Sequence, residues 1–331
     1  MVSSIETGEL NYEGTPKSPG GAQPSEENRW KLERGDIRPE IPDPGNTVLV
    51  LQVNAKDDRR DTYSPEFGAL MPEAATQTIE QSRYFFDEVF SGLSEDERAE
   101  VYVAVFASDS PLVMPSGVKS PHRRAYETAE KVIEGAKTSM ATHGVNENQL
   151  LNNSSKNQGA PIPVPGLAEL RMWENPEFVA KLTDLWGVGG EFWSKYETLG
   201  WKRDFSQSQG IKPPREAESQ VEIMTRVRDA LTDLTVTFAR KFHEEHPNGR
   251  LIIWVDGMYD NLAPFYKAYV RGVNPGVKFT PIEKGGGLTI KINSEMGTAT
   301  TKVGDQEFEV PALLRLSPRV RNTKETRPEY S

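Results

Sequence analysis

The choice of thiolate and imidazole groups for catalysis or metal binding is narrow in this 331-residue chain, which has no cysteine and four histidines. Cysteine is absent, which excludes thiolate nucleophiles, thiolate metal sites and disulfide bonds. The four histidines are His122, His143, His243 and His246. The spacing of the last two suits a metal ion, but the sequence offers no obvious third ligand, so we predict no metal site and no cofactor. Acid–base or anion chemistry therefore has to come from carboxylates and arginines.

Three polar segments have the spacing of functional motifs. The first, Ser120-Pro-His-Arg-Arg-Ala-Tyr-Glu-Thr-Ala129, opens a predicted helix with two adjacent arginines. Arginine suits phosphate because its planar guanidinium can donate two parallel hydrogen bonds. The second, Leu70-Met-Pro-Glu-Ala-Ala-Thr-Gln-Thr78, has a proline at a helix start, where no N–H is needed. The third is Glu218-Ser219, followed by Arg226 on a long predicted helix.

In their order along the chain (70–78, 120–129 and 218–226), the three segments resemble the histidine phosphatase superfamily, whose members have a phosphoglycerate-mutase-like fold. The first is similar to the family segment S-P-x-x-R-A-x-E-T-A, whose arginine points into the phosphate pocket and falls on Arg124 here. The second is similar to L-T-x-x-G-x-x-Q-A, with Ala74 in place of the glycine. The resemblance extends over residues 46–275, and it implies an α/β fold with a phosphate pocket.

The same resemblance identifies positions where the chain departs from the family. Family members follow the first strand with R-H-G, whose histidine is the nucleophile. The matching positions here hold Gln52, Val53 and Asn54. Family members follow the last core strand with H-G, whose histidine helps to hold the phosphoryl group, and the matching positions here hold Asp256 and Gly257. Both catalytic histidines of the family are therefore replaced.

The resemblance also implies a glutamate at the pocket and two alternative functions for Arg124. The family's acid/base glutamate lies in a segment like L-x-E-L, and Leu167-Ala-Glu-Leu170 places it on Glu169 at the pocket mouth. Arg124 is then either a retained anion clamp or a structural ion pair, for which Asp256 is the expected partner. These alternatives stay open at the level of sequence.

Other basic groups near the expected pocket rim also have two alternative interpretations. His122 is either a ligand contact or a solvated surface histidine. Arg59 and Arg60 belong to a mixed-charge loop that also contains Asp57 and Asp58. This loop is either solvated or turned inward, in which case its arginines restore positive charge to the pocket.

The pocket chemistry argues against ordinary phosphatase activity. Covalent phosphoryl transfer needs a nucleophile, and a valine at position 53 has no lone pair. Replacing an arginine by glutamine and a histidine by aspartate also makes the pocket less favourable for an anion. We therefore predict a pseudophosphatase that binds a ligand or partner. The alternatives are a phosphoric ester hydrolase or mutase-like enzyme with altered chemistry, using Arg124, Asp256 and Glu169, and an assembly role for the terminal segments.

The hydrophobic pattern supports the same fold class. Continuous apolar runs typical of buried strands occur at 47–51, 101–107 and 251–255. Helical periodicity occurs near 72–90, 120–136 and 216–246. Strands alternating with helices predict a three-layer α/β/α sandwich with a mostly parallel central sheet. Alternation of Leu288, Ile290 and Ile292 predicts an antiparallel β extension near the C-terminus.

Composition sets the domain boundaries that we expect. Residues 1–45 form a flexible N-terminal arm, and 46–276 form the histidine-phosphatase-like domain with a cap insertion near 145–215. Residues 277–316 form the β extension packed on the same domain, and 317–331 form a tail.

Charge sets the expected partners. A net charge of -10 disfavours nucleic acid and anionic membranes, because neutralising phosphates requires a basic face. We expect a small anionic molecule or a protein as partner, leave a homo-oligomer open, and expect a cytoplasmic location because no signal peptide or apolar span is evident.

Overall fold

The computed structural model describes most of the chain, with gaps at both ends and in several loops. The described residues are 31–57, 66–111, 119–170, 172, 175–187, 190–200, 205–207, 210–214, 217–273 and 282–314. Within these ranges the chain forms one mixed sheet with helices on both faces. Among the described residues, no helix is long and apolar enough to cross a lipid bilayer.

The sheet has seven strands in the described part of the chain, in the order β3-β2-β4-β1-β5-β6-β7. In chain order they are β1 (Thr47–Val53), β2 (Val101–Ala107), β3 (Ile162–Pro163), β4 (Arg250–Gly257), β5 (Gly287–Asn293), β6 (Thr298–Val303) and β7 (Gln306–Glu309). Strands β1, β2, β3 and β4 run parallel, whereas β5, β6 and β7 add antiparallel pairs. The predicted fold class is confirmed.

The central strands are parallel and buried because their sequences are apolar on both faces. All residues of β1 and β4 are buried, and β2 has only Tyr102 partly exposed. Strand β1 pairs with β4 in a register that places Gln52 beside Asp256 and Val53 beside Gly257. This register brings the positions expected to form the pocket floor to the same edge of the sheet.

The C-terminal β extension is part of the central sheet. Strand β5 pairs antiparallel with β1, and β6 and β7 follow as a meander. The close approach at Gly287 depends on glycine, because a Cβ there would lie 1.9 Å from the carbonyl oxygen of Leu51. The extension therefore covers what would otherwise be an open edge of β1.

Helices form the two outer layers. Their bounds are α1 (Pro72–Ser91), α2 (Glu95–Arg98), α3 (Arg124–Thr142), α4 (Pro176–Trp186), α5 (Gly190–Leu199), α6 (Gln220–Thr232), α7 (Ala239–Glu245) and α8 (Tyr259–Phe265). Helices α1 and α3 cover one face through a core that includes Phe85, Phe86 and Trp254. The later helices cover the other face.

Helices α1 and α3 approach closely at a glycine. A Cβ on Gly135 would lie 2.1 Å from Ser82 Oγ and 2.6 Å from the carbonyl oxygen of Ile79. The sequence resemblance had identified the starts of these two helices. Their packing fixes the position of the N-terminal end of α3, and therefore of Arg124.

The long helix predicted over 216–246 is interrupted. It consists of α6, a π-helical turn at Asp233–Phe238, and α7. A second π-helical turn, Tyr266–Val270, follows α8. A regular apolar spacing of three and four residues does not distinguish a continuous α-helix from one with a π insertion.

The cap region contains α4 and α5 and is joined to the sheet layer by a buried polar contact. Lys267, on the π-helical turn after α8, forms a salt bridge with Glu197 on α5. The hydroxyl of Tyr259, at the start of α8, also donates to Glu197. Both Lys267 and Glu197 are buried, so this pair fixes α5 against α8.

The predicted N-terminal arm is only partly covered by the described residues. Residues 31–45 lie against the domain, with Leu32 and Ile37 buried. Leu32 also forms a β-bridge with Ile282. Residues 1–30 lie outside the described part of the chain.

Candidate functional site

The candidate site lies at the carboxyl ends of β1, β2 and β4. In parallel α/β sheets this edge is where ligands usually bind. The sequence-predicted residues on β1 and β4 meet here through the register of the two strands. Arg124 reaches the same edge from the first turn of α3, and Glu169 reaches it from the segment that follows β3.

Gln52, which the motif resemblance matched to the family arginine, has both ends of its amide hydrogen-bonded. Its Nε2 donates to the carbonyl oxygen of Gly285 at 2.9 Å and to Gln81 Oε1 at 3.1 Å. Its Oε1 accepts from Trp254 Nε1 at 3.1 Å. The side chain therefore connects β1 to β4, α1 and the turn before β5, which is a structural function.

Val53, which the motif resemblance matched to the family nucleophile, has its side chain buried in the apolar core. It belongs to the same cluster as Leu51, Leu262 and Phe265. Gly257, its register partner, lies close to Leu262, whose Cγ would be 3.1 Å from an added Cβ. This position thus contributes hydrocarbon to the packing beneath α8.

Asn54 continues the backbone past the end of β1. Its N–H donates to the carbonyl oxygen of Gly257 at 2.8 Å, and its side chain is buried. Its Oδ1 lies 3.4 Å from Lys284 Nζ. The next residue, Ala55, donates its N–H to Thr128 Oγ1 at 3.0 Å, which ties the end of β1 to α3.

Asp256 is a buried carboxyl group with no hydrogen-bond partner on either oxygen among the described residues. Burial raises its pKa well above the usual range, because the charged form is poorly solvated. The sequence-based expectation of a negative charge beside the ligand position therefore changes. The structure favours a neutral carboxylic acid at this position.

Arg124 is buried and pairs with two carboxylates. Its Nη2 donates to Glu169 Oε1 at 2.8 Å, and its Nη1 lies 3.6 Å from Asp57 Oδ2. The Nη2 atom also contacts the sulfur of Met258 at 3.1 Å. The expected pairing of Arg124 with Asp256 is therefore wrong, and the structural ion pair is formed with Glu169 and Asp57.

Glu169 is positioned through the backbone that precedes it. The carbonyl oxygens of Leu167 and Ala168 accept from Asn261 Nδ2 at 2.6 and 3.1 Å. Arg226 Nη1 donates to the carbonyl oxygens of Gly166 and Ala168, both at 2.9 Å. The arginine of the third sequence segment thus acts as a positioning group for the glutamate.

Other polar residues of the segment 120–129 hold the start of α3 in place. Ser120 Oγ donates to the carbonyl oxygen of Phe67 at 2.7 Å. Glu127 accepts from the N–H groups of Leu70 and Arg123 at 3.2 Å each. His122 Nδ1 lies 3.0 Å from Glu127 Oε1. These contacts make the segment a framework that presents Arg124.

The solved structures that match this chain include two structures of one phosphatase. The native structure of a mycobacterial glucosyl-3-phosphoglycerate phosphatase matches with 17% sequence identity, 74% of this chain and 89% of that chain covered, and a TM-score of 0.37. A complex of the enzyme with VO3 matches with 14% identity, 74% and 92% coverage, and a TM-score of 0.35.

These two matches carry no statement about the reaction of this chain, because both TM-scores lie below 0.5. No protein-family model and no curated protein matches the chain. The fold therefore rests on the strand order and register described above, and the site rests on its own geometry.

Three residues of the site were not identified from sequence. Met258 contacts Arg124, Lys284 lies 3.8 Å from Asp57 Oδ1, and Asp260 lies in the first turn of α8. Burial raises the pKa of Asp260, and the charge of Arg124 opposes this shift. The sequence signal that could have identified Asp260 is its place four residues after Asp256, at the junction of β4 and α8. Two predicted residues, Arg59 and Arg60, lie outside the described residues.

The arrangement has one buried guanidinium surrounded by carboxyl groups. An anion that approached Arg124 would compete with Glu169 for the N–H groups of Nη2 and with both Glu169 and Asp57 for the charge, whereas the buried Nε–H has no hydrogen-bond partner among the described residues. Among the described residues, no group of three or more histidine, aspartate or glutamate side chains has the geometry to hold a metal ion. The geometry is therefore that of an internally neutralised site.

Proposed function

We propose that this protein has a histidine-phosphatase-like fold, does not transfer phosphoryl groups, and acts as a ligand- or partner-binding protein. The observation that carries this proposal is the pairing of the buried Arg124 with Glu169 and Asp57. In a phosphatase pocket the arginine must be available to the phosphoryl oxygens, because it stabilises their charge in the transition state. Here that charge is already compensated by the protein.

Two further observations support the proposal. The side chain of Val53, at the position of the family nucleophile, packs in the apolar core and has no electron pair to donate. Asp256, at the position of the second histidine, is a buried acid whose raised pKa favours the neutral form. A neutral, enclosed carboxyl group is a poor nucleophile and adds no positive charge for an anion.

Of the two expected classes of ligand, the site disfavours a small anion. Such a molecule would have to displace Glu169 and Asp57 from Arg124, leaving the buried Glu169 without the cation of Arg124, while Asp57 would keep Lys284. A protein partner that binds elsewhere on the surface has no such cost. We therefore extend the proposal to a protein partner.

The proposal is tested by turnover of p-nitrophenyl phosphate. We expect the intact chain to release nitrophenol no faster than a protein-free blank. We also expect no phosphorylated protein after an acid quench, which preserves an aspartyl phosphate, or after an alkaline quench, which preserves a phosphohistidine. The variants Arg124→Met and Asp256→Asn should behave like the parent chain. As a matched surface control, Arg83→Met removes an exposed arginine on α1.

Measurable turnover would contradict the proposal. If that activity disappeared in Asp256→Asn and in Glu169→Gln but survived in Arg83→Met, the alternative of a hydrolase with altered chemistry would be correct.

A further inference from the structure

The position of Glu169 depends on two side chains that hold the segment before it. Arg226 and Asn261 together donate four hydrogen bonds, of 2.6–3.1 Å, to carbonyl oxygens of residues 166–168. The N–H of Glu169 itself donates to Ser110 Oγ at 3.2 Å, which is a longer contact. The carboxylate of Glu169 therefore depends mainly on Arg226 and Asn261 for its place in the candidate site.

Helix α5 of the cap is linked to Asn261 through α8. The carboxylate of Glu197 on α5 forms a salt bridge with Lys267 and accepts a hydrogen bond from the hydroxyl of Tyr259. Tyr259 is the first residue of α8, and Asn261 lies in the same turn. Lys267 lies in the π-helical turn that continues α8. One carboxylate of the cap therefore holds α8 at its start and just beyond its end.

Helix α5 is linked to Arg226 through the residues that precede α6. The hydroxyl of Tyr196, the neighbour of Glu197, donates to the carbonyl oxygen of Glu218 at 2.7 Å. The side chain of Glu218 in turn accepts from Arg226 Nε and Nη2 at 3.0 Å each. Two adjacent residues of the cap are thus linked to both of the groups that hold Glu169.

The polar contacts of α5 are buried, which makes them more important for its position than for stability. Tyr196, Glu197 and Lys267 are each at most 2% exposed. In a buried ion pair the loss of hydration offsets much of the attraction, whereas removal of one partner leaves an uncompensated charge. The pair therefore favours one position of α5, and separating it returns both charges to water.

We propose that α5 is a latch that keeps the candidate site closed. While its two polar residues hold Glu218 and α8, Glu169 stays paired with Arg124. When α5 moves away, Glu169 loses its support, and the guanidinium of Arg124 becomes accessible to other groups. The pairing of Arg124 with Glu169 then defines the closed conformation. This movement of the cap does not depend on whether the protein transfers phosphoryl groups.

Chemical modification of arginines by phenylglyoxal tests the latch in the full-length protein, with peptide mapping by mass spectrometry as the readout. In Lys267→Met the buried carboxylate of Glu197 loses its cation, so α5 should move outward to solvate it. We expect Arg124 to be modified about tenfold faster than in the parent chain, because reactivity follows the population of the open form. Arg250, a buried and paired arginine at the other end of β4, should keep its parent rate.

A double variant distinguishes a latch from general loosening of the domain. Glu197→Gln with Lys267→Met removes both charges and leaves an oxygen that can accept from Tyr259. We expect this variant to return the modification rate of Arg124 to near the parent value, because no buried charge remains uncompensated. The matched surface control is Glu177→Gln on α4, which removes an exposed ion pair within the cap and should leave the rate unchanged.

Tyr196→Phe gives a second, milder test in which all charges stay in place. It removes the hydroxyl that donates to the carbonyl oxygen of Glu218 and keeps the buried ring. We expect modification of Arg124 to be roughly threefold faster than in the parent chain, as for the loss of one hydrogen bond. This variant decides the question if Lys267→Met does not fold.

An unchanged rate at Arg124 in Lys267→Met, or in Tyr196→Phe where the first variant does not fold, would overturn the proposal. A rise matched by an equal rise at Arg250 would also overturn it, because the whole domain would then be opening. A double variant as reactive as Lys267→Met would do the same, since an uncompensated charge would not be the cause. Turnover of phosphate esters is measured separately, so failure of the latch and failure of the proposed function are distinguishable.

Discussion

Arg124 and Asp256 lie at the same edge of the sheet, but their charges are stabilised differently. Arg124 is surrounded by Glu169, Asp57 and the sulfur of Met258. Asp256 has no hydrogen-bond partner on either oxygen among the described residues, and its pKa is raised by burial. A buried charge persists where the fold supplies opposite charges. Where it supplies none, the group becomes neutral.

This difference underlies the proposal that the site does not bind a phosphoryl group. The arginine that the motif resemblance identified is present, but its charge is paired within the protein. The two positions that resemble the catalytic histidines hold a hydrocarbon and a neutral acid. Retention of a motif residue is therefore weak evidence of retained chemistry, because its neighbours decide what it can bind.

The largest effect should follow from removing the compensated cation. Arg124→Met leaves Glu169 and Asp57 buried beside a neutral side chain, and we expect the free energy of unfolding to fall by about 3–5 kcal/mol. Urea denaturation measures this loss. The surface variant Arg83→Met, which removes a half-exposed ion pair, should cost at most about 1 kcal/mol.

A double variant sharpens the test of this pairing. Adding Glu169→Met to Arg124→Met should destabilise the protein by less than the sum of the two single changes, because each single change leaves an uncompensated charge. Additive losses would show that Arg124 and Glu169 are not energetically coupled.

The next largest loss of stability is expected at Gln52, the neutral residue that lies beside Asp256 in the pairing of β1 with β4. Gln52→Leu removes the acceptor of the Trp254 indole N–H and a donor to the carbonyl oxygen of Gly285. We expect a loss of about 1–3 kcal/mol in the free energy of unfolding, because buried polar groups are left unsatisfied. A loss within error of zero would contradict the structural function given to Gln52.

The pH dependence of stability tests the other half of the comparison. Burial raises the pKa of Asp256 in the native state well above the ordinary value of 3.8. At pH values between the ordinary pKa and the raised native pKa, the native state holds a proton that the unfolded state has released. Stability therefore falls by about 1.4 kcal/mol per pH unit through this window. Asp256→Asn removes this loss, so its stability relative to the parent should rise with pH.

Urea denaturation at several pH values from about 5 to about 7 measures this trend. The control Asp305→Asn, at an exposed turn, should show a constant difference from the parent. A constant difference for Asp256→Asn as well would mean that the buried group is ionised.

The smallest change in the free energy of unfolding is expected at His122, at the rim of the candidate site. His122 is partly exposed and contacts Glu127, so His122→Ala should change the free energy of unfolding by at most about 1 kcal/mol. Thermal or urea unfolding checks this. A loss comparable to that of Arg124→Met would require a function for His122 beyond its contact with Glu127.

The sequence predicted the framework better than the contacts. Strands β1, β2 and β4 were recognisable because continuous apolar runs suit only a buried parallel sheet. The interruption of the long helix by a π-helical turn left the apolar spacing almost unchanged, so it was not visible. The pairing of β5 with β1 depends on residues far apart in the chain, which local patterns do not encode.

The site was predicted in part for the same reason. Motif spacing placed Arg124 and Glu169 at the pocket, but not in contact with each other. Their ion pair joins residues 45 positions apart and depends on how the segment after β3 is held by Asn261 and Arg226. The protonation of Asp256 follows from its complete burial, which no sequence pattern states.

We propose that Arg124, paired with Glu169 and Asp57, does not bind a phosphoryl group. Isothermal titration of the intact chain with orthovanadate, a phosphate analogue, tests it most directly. The account predicts no saturable heat for the parent chain, and none for Arg124→Met. Saturable binding to the parent that disappears in Arg124→Met but persists in Arg83→Met would contradict it.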